Sequence, residues 1–446
     1  MRVQVSVGQP TGTPLDVVLD VDDDLAVGTV AAALGRAAGT PAEGLYTRGE
    51  RLADELPVGE SSLVDGALVH LTGVDARTAP SPPPTQGWQL RVVSGPGSGL
   101  VAELPMGEYR LGRGGVFGFT DRTMSREHAV LTVTADGATL TDRDSANGTF
   151  LDGEPVTEPE TPVAFGQVFR LGDTAMVILP AAAADAAIEP AGPGTRAVVR
   201  APRLLPSQRP VRIQLPDEPH AREARRIPMI MVFAPLVIGV VLAVVLRSPL
   251  YLMFAVASPL MMIGNAVSDR RQTARENREA RDKYERDLAT AQEKITAALA
   301  EETARRRNLH PDPATALLTA VLPGKRLWER RRGDPDALSL RLGTADLPAE
   351  LEVTGRHGAV ADEQHTVRAV PAVVPLREAG VLGLAGPADQ LAGLLRWVVL
   401  QLAIHHPPRD LALTLLAPRG RTDWNWLRWL PHARPADGDG PVAFVG

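Results

Sequence analysis

Hydrophobic and polar residues change their spacing several times along this chain. Met1–Ser6 alternates apolar and polar positions, and Val17, Val18 and Leu19 follow after a turn, which predicts a first β-hairpin. From Val27 to Ala38 the apolar residues fall at helical spacing, with Gly39 as a stop signal. Leu45–Tyr46, Leu52 and the stretch Leu63–Thr72 predict further short strands. Beginning at Trp88, residues 88–180 repeat short alternating segments between turn residues, the pattern of an all-β sandwich. Ile227–Leu246 and Pro249–Val267 carry no charge, and each is long enough to cross about 30 Å of hydrocarbon. Only Arg247 and Ser248 separate them, which predicts a tight hairpin of two transmembrane helices with Pro235 and Pro259 as kinks. Residues 268–309 are dense in charge and lack proline and glycine, so they predict a long exposed helix. Within it Tyr284, Leu288, Ala291, Ile295 and Ala298 alternate four- and three-residue steps, a short seam for packing. Structure restarts at Asp312, an N-cap before Pro313. From there the pattern is α/β: a buried strand over 380–386, a helix over Gln390–Ile404, a strand over 410–418 and the start of another at 441–446.

The fold class predicted is therefore multidomain. Residues 1–74 form a small α+β domain whose β-β-α-β-β order resembles the ubiquitin-like fold, with an unspecified α+β domain as the alternative. Residues 75–87 are a Pro-rich linker of polyproline II type. The sandwich (88–180) is followed by a linker rich in Ala, Pro and Arg (181–226), of which 200–219 could dock as extended chain. The transmembrane hairpin (227–267), the charged helix (268–309) and an incomplete α/β domain (310–446) complete the order.

Composition narrows the chemistry. With 4% aromatic residues, 41 Gly and 39 Pro, the chain suits small domains on linkers better than one large core. A net charge of −6 gives no global basic field for nucleic acid. The absence of cysteine excludes disulfides, thiolate metal sites and cysteine nucleophiles. No basic start and apolar run opens the sequence, so the N-terminus is expected in the cytoplasm. Arg222, Arg225 and Arg226 before the first span, and Arg270 and Arg271 after the second, place both flanks there too. The expected location is the cell membrane, with two spans and both termini cytoplasmic.

The most informative cluster is RLGRGG, DRTMSREHAVL and DRDSANGTFLDG. Gly112–Arg113, then Ser125 with His128, then Asn147–Gly148 occur in order within the expected sandwich. This resembles the forkhead-associated (FHA) family, which implies binding of phosphothreonine in preference to phosphoserine. The chemistry is intelligible, because a phosphothreonine carries about −1.5 to −2 charges and three strong acceptor oxygens. Arg113 and Ser125 stand at the two phosphate-contacting positions, supplying a guanidinium and a hydroxyl. Arg126 offers a second cation, Asn147 can bond the peptide backbone, and Ser145 can assist. His128 reads as a brace of the recognition loop, and Gly112 and Gly148 as turn geometry.

The order of segments, with 326–343, 381–411 and 424–435, resembles the front part of an FtsK/SpoIIIE-type ATPase, closest to the EssC/EccC-like motor of type VII secretion. That resemblance implies service in the export of small helical proteins. Hydrolysis in such motors needs G-x-x-x-x-G-K-[ST]. The nearest segment, 383–390, has Ala388 at the second glycine and Asp389 where lysine belongs, so no catalytic residue and no enzyme activity is expected of this chain. No cofactor or metal is expected either. His405–His406 lacks a third ligand, Asp22–Asp24 lacks the pattern of a calcium loop, and Trp424, Trp426 and Trp429 read as packing. The expectation is a membrane-anchored phosphothreonine-binding scaffold of a type VII-like secretion motor. Its partners would be a phosphothreonine-containing protein, secretion-channel membrane proteins, the lipid bilayer and other copies of itself. The alternatives are the front of an active ATPase with motor domains beyond residue 446, or a stand-alone membrane FHA adaptor.

Overall fold

The computed structural model describes residues 1–8, 14–73, 87–205, 210–220, 229–247, 250–355, 364–416 and 422–433. They divide into two compact units, Met1–Pro206 with Arg306–Ala345 and Arg368–Gly446, and Ser207–Arg305 with Asp346–Val367. The protein is multidomain and α+β, with a β-sandwich where one was expected.

In the first unit, β1 (Arg2–Val7) pairs antiparallel with β2 (Leu15–Asp20) in the register Val5↔Val17. Helix α1 (Val27–Ala38) lies against this sheet, closed by Gly39 at φ 68°. Val3, Val5 and Val7, the alternating residues of β1, are buried with Val27, Val30 and Leu34 of the helix. Strands β3 (Tyr46–Thr47), β4 (Glu50–Arg51) and β5 (Ala67–His70) complete the order β2-β1-β5-β3-β4, with β5 parallel to β1. The short strand expected at Leu52 lies just before it as β4, whose two residues are exposed. What makes it is the turn at Arg48 and Gly49, both at positive φ, the geometry of a tight hairpin.

The sandwich comprises β6 (Trp88–Ser94), β7 (Val101–Glu103), β8 (Gly107–Leu111), β9 (Ala129–Val133), β10 (Ala138–Asp142), β11 (Thr149–Leu151), β12 (Glu154–Pro155), β13 (Thr161–Val163), β14 (Val168–Leu171) and β15 (Thr174–Pro180). One sheet runs β13-β10-β9-β8 and the other β12-β11-β14-β15-β6-β7. Inward residues of both, including Leu90, Leu111, Leu131, Leu140, Phe169 and Met176, form one core. This rigid body holds the long β8–β9 and β10–β11 connections at one edge.

The expected linker over 181–226 is partly structured. Strands β16 (Ala187–Gly192) and β17 (Thr195–Val199) form a hairpin. Arg203 then grips Asp336 with two bonds of 2.6 Å, and also Asp334 at 3.1 Å. Composition concealed this because one bidentate ion pair fixes a segment that no periodicity marks.

In the second unit, β18 (Val211–Gln214) docks as extended chain, parallel to a strand at 351–354 described below. Helices α2 (Met229–Val245) and α3 (Leu250–Leu309) follow. The boundary expected at 268 is absent, since the second apolar run and the charged stretch are one helix of 60 residues. A change in polarity without proline or glycine gives the backbone no reason to stop. Tyr284, Leu288, Ile295 and Ala298 are half-buried and Ala291 is buried, so the seam is the covered face. Among the described residues no helix is long and apolar enough to cross a membrane. Helix α2 has 17 residues, roughly 26 Å at 1.5 Å per residue.

The remaining elements are α4 (Pro313–Val321), β19 (Ser339–Pro348), β20 (Leu351–Thr354), β21 (Thr366–Pro375), α5 (Leu376–Ala379) and α6 (Ala388–His405). Asp312 caps α4 as expected, accepting from the Thr315 amide at 3.0 Å. Two expected strands do not form over the described residues, except that Leu416 makes a single β-bridge. Residues 381–385 have no regular structure and Val381 is 85% exposed. Residues 411–415 are also irregular, with the Leu413 amide bonded to the His432 carbonyl. An apolar run becomes a strand only beside a partner backbone, and among the described residues β19 and β21 pair with each other. The strand expected at 441–446 lies outside the described residues.

Phe169 is fully buried at the centre of the sandwich. Phe169→Ala should lower the stability of the sandwich by about 3–5 kcal/mol, measured as a fall in its urea midpoint by near-UV circular dichroism.

Candidate functional site

The two long connections meet at one edge through backbone bonds. The Arg113 amide donates to the Ser125 carbonyl (3.0 Å) and the Gly114 amide to the Arg126 carbonyl (3.1 Å). Gly112 is required by this approach, because a Cβ there would lie 2.1 Å from the Arg126 carbonyl oxygen. Glycine at 148 serves a different need, a left-handed φ of 72°.

His128 is completely buried and makes two bonds. Its Nδ1 accepts from the Ser125 amide (3.0 Å) and its Nε2 donates to the Gly148 carbonyl (3.1 Å). That pattern requires the neutral ring with the proton on Nε2. The imidazole thus ties the serine loop to the Asn147–Gly148 turn, the bracing role expected of it.

Ser125 is half-buried, and its Oγ accepts from the Ala146 amide at 3.2 Å. The hydroxyl proton remains free to donate outward. Exposed Arg113 donates Nε to the Met124 carbonyl at 2.7 Å, which orients the guanidinium and leaves its terminal nitrogens for a ligand. Arg126 is exposed beside them. Asn147 is exposed and donates Nδ2 to the Thr123 carbonyl at 2.6 Å, keeping Oδ1 as an acceptor. The Ser145 hydroxyl proton is committed to Asp142 Oδ1 at 2.7 Å, so this residue holds the loop from within. Arg113, Ser125, Arg126 and Asn147 therefore gather at one edge.

The pattern did not flag the two carboxylates beneath. Asp121, 1% exposed, accepts from the Thr123 amide (2.8 Å) and hydroxyl (2.7 Å), the Asp173 amide (2.9 Å) and the Thr174 hydroxyl (2.8 Å). Asp142 accepts from Ser145 and from the Thr149 hydroxyl at 2.5 Å. Burial pushes both carboxyls up. Those hydrogen bonds outweigh it, and both lie below the usual carboxylate range. The signal that could have found them is local, an acid two or three residues before Thr or Ser.

Among the described residues no group of His, Asp and Glu could hold a metal ion. His405 and His406 are buried at the end of α6. Burial pushes both below the usual histidine range, with His405 lowered furthest.

Residues 91–182 match the family described as the cytoplasmic domain of the inner membrane component of type III secretion systems (Yop-YscD_cpl). Over 255 residues, 51% of this chain, the sequence is 30% identical to the ESX-4 secretion system protein EccC4 of Mycobacterium tuberculosis, covering 20% of that protein. It is 33% identical over 226 residues to the ESX-3 secretion system protein EccC3 of the same organism, covering 44% of this chain and 16% of that one. The chain thus spans about a fifth or less of the length of these curated relatives. A domain solved in a structural and functional analysis of phosphothreonine-dependent FHA domain interactions is 32% identical. That match covers 21% of this chain and 94% of the solved one, at a TM-score of 0.19. The chain is EccC-like over about half its length and carries an FHA-type sandwich.

Because both carboxyls are lowered, their stabilisation is fully present above the unfolded value of about 3.9 and is lost as pH falls through the lower native values. The melting temperature of the sandwich should be insensitive to them between about pH 5 and 7 and fall below pH of about 4. Asp121→Asn should be less stable at neutral pH and show a shallower acid decline, read by thermal melts across pH.

Proposed function

We propose that this EccC-like chain reads phosphothreonine with its FHA sandwich, as a membrane-anchored regulatory and scaffolding segment of a type VII-like secretion assembly. The observation that carries the reading is the pairing of Arg113 with Ser125. One presents a guanidinium oriented through Nε and the other a hydroxyl whose acceptor side is already used. A phosphate held there receives charge-assisted hydrogen bonds from groups that need no rearrangement. Asn147 Oδ1 then meets the peptide backbone, and Arg126 adds charge.

Anchoring is supported by side-chain exposure on α2 and on the front of α3. Val237, Ile238, Val241, Val244 and Val245 of α2 are each more than half exposed, as are Met253, Leu260, Met261 and Ile263 of α3. Such surface is unfavourable in water by about 25 cal/mol per Å² and neutral in lipid. Both spans with cytoplasmic flanks remain the preferred topology. For residues 1–74, the order β2-β1-β5-β3-β4 with a parallel central pair supports a ubiquitin-like domain.

This chain itself is proposed not to hydrolyse ATP. Asp389, where a phosphate-binding lysine would stand, lies in the first turn of α6, and a carboxylate there repels phosphate. Activity of a whole secretion motor would require modules outside this sequence.

Titration calorimetry with phosphothreonine peptides and their unphosphorylated twins tests the site. Micromolar binding should require the phosphate, and Arg113→Ala or Ser125→Ala should weaken it by about tenfold to a hundredfold. Unchanged affinity in Arg113→Ala would refute the assignment. For the anchor, the full chain should resist alkaline carbonate extraction from membranes, whereas a chain lacking residues 229–267 should be released. Release of both would remove the membrane part of the proposal.

A further inference from the structure

The β16–β17 hairpin buries little apolar surface of its own. Ile188 is 37% exposed and Val199 50%, and of β17 only Val198 is not exposed. A lone two-stranded hairpin is marginal in water, so what orders this one lies at its ends and its tip.

Both legs end on one loop of the same compact unit, residues 323–336. Ahead of β16, the Asp185 and Ala186 amides donate to the Pro323 carbonyl (3.2 and 3.0 Å), and Asp185 Oδ1 accepts from the Lys325 amide at 2.7 Å. Behind β17, Arg203 enters a pocket formed by Glu329, Asp334 and Asp336. Its Nη1 donates to Asp336 Oδ1 (2.6 Å) and Asp334 Oδ2 (3.1 Å), and its Nη2 to Asp336 Oδ2 (2.6 Å). Its Nε lies 3.7 Å from Glu329 Oε2. The loop is itself pinned to the end of α6, because the Trp328 and Arg330 amides donate to the Ile404 and His405 carbonyls at 2.8 Å each. At the tip, the Gly194 carbonyl accepts from the Asp65 amide at 3.2 Å. A Cβ on Gly194 would lie 2.6 Å from Val3 Cγ1. The hairpin thus reaches from the loop to residues 1–74.

The charges of the pocket balance only when Arg203 is in it. Arg326 bonds Glu329 at 2.7 Å and Arg330 faces Asp336 at 3.3 Å, so the loop supplies two cations for three carboxylates. The third cation must also have the right shape. Asp336 takes both terminal nitrogens of Arg203, one on each oxygen, a match for the planar guanidinium fork that a lysine ammonium cannot reproduce. On either side Ala201, Pro202, Leu204 and Leu205 are exposed. The leg is therefore held by this side chain, with Arg200 at 3.7 Å from Asp410 as its nearest support.

We infer that Glu329, Asp334 and Asp336 form a guanidinium-binding site whose resident ligand is Arg203, and that its occupancy decides whether the β16–β17 hairpin bridges to residues 1–74. Emptying the site frees one leg of the hairpin and leaves a buried carboxylate without its cation. The inference is independent of the phosphothreonine reading.

The test uses the full chain in detergent micelles, read by hydrogen–deuterium exchange with mass spectrometry. In Arg203→Ala, residues 187–205 should exchange about a hundredfold faster. Exchange around Asp65 should rise with them, while β9 and β10 of the sandwich keep their wild-type rates. Methylguanidinium at roughly millimolar concentration should restore the protection, and methylammonium at the same concentration should not. Arg203→Lys keeps the charge without the fork, and its hairpin should still exchange at least about tenfold faster than wild type. Wild-type exchange of the hairpin in Arg203→Ala overturns the inference. Rescue by methylammonium, or full protection in Arg203→Lys, makes the site a reader of charge alone and overturns it too. A released hairpin with an unchanged rate around Asp65 removes the bridge to residues 1–74. Should Arg203→Ala also lose the protection of β9 and β10, Arg203→Lys decides, and wild-type protection of its hairpin overturns the inference.

Discussion

A carboxylate drawn out of water, wholly or in part, is tolerated only when hydrogen bonds replace the water it has lost, and the recognition edge is organised around buried Asp121 and half-buried Asp142. Asp121 gathers Thr123, Asp173 and Thr174, while Asp142 gathers Ser145 and Thr149. Asp121 shapes the loop from which Thr123 holds Asn147, and Asp142 shapes the turn that carries Asn147 itself. His128 joins the loops from below. The exposed residues thus inherit their positions from the hydrogen bonds of Asp121, Asp142 and His128 beneath them. Ligand groups held in this way lose little conformational freedom on binding.

The sandwich was legible in the sequence because its strands alternate cleanly and its motif residues lie on the connections between them. Gly112–Arg113, Ser125 with His128, and Asn147–Gly148 do converge, as their order implied. The two carboxylates were not legible, since Asp121 and Asp142 resemble ordinary loop acids until their partners are known. At 380–386 and 410–418 the failure was of another kind. Leu382, Leu384 and Leu411 carry the hydrophobicity of strands, yet among the described residues no strand pairs with them, and hydrophobicity alone cannot report a neighbour.

Residues 181–226 show the limits of composition in the opposite direction. The segment shows little periodicity, yet Arg203 reaches a charge cluster in which Asp336 also faces Arg330 at 3.3 Å and Glu329 lies 3.7 Å from Arg203. His310, beside Arg330, is pushed down to about 3 by burial and by that arginine's charge, so it stays neutral at ordinary pH. Breaking one member of such a cluster leaves a buried charge uncompensated, a cost of about 3–5 kcal/mol. The chain after the sandwich is therefore held by electrostatics where its apolar content is too sparse to hold it.

The continuity of α3 has a geometrical consequence. Its apolar front and the half-buried seam at Tyr284–Ala298 share one helical backbone, so their angular phase is locked by the number of residues between them. Each residue added between Val267 and Tyr284 would turn the seam by about 100° and displace it by about 1.5 Å. The length of that charged stretch is thus a setting of azimuth, and its composition can drift far more freely than its residue count.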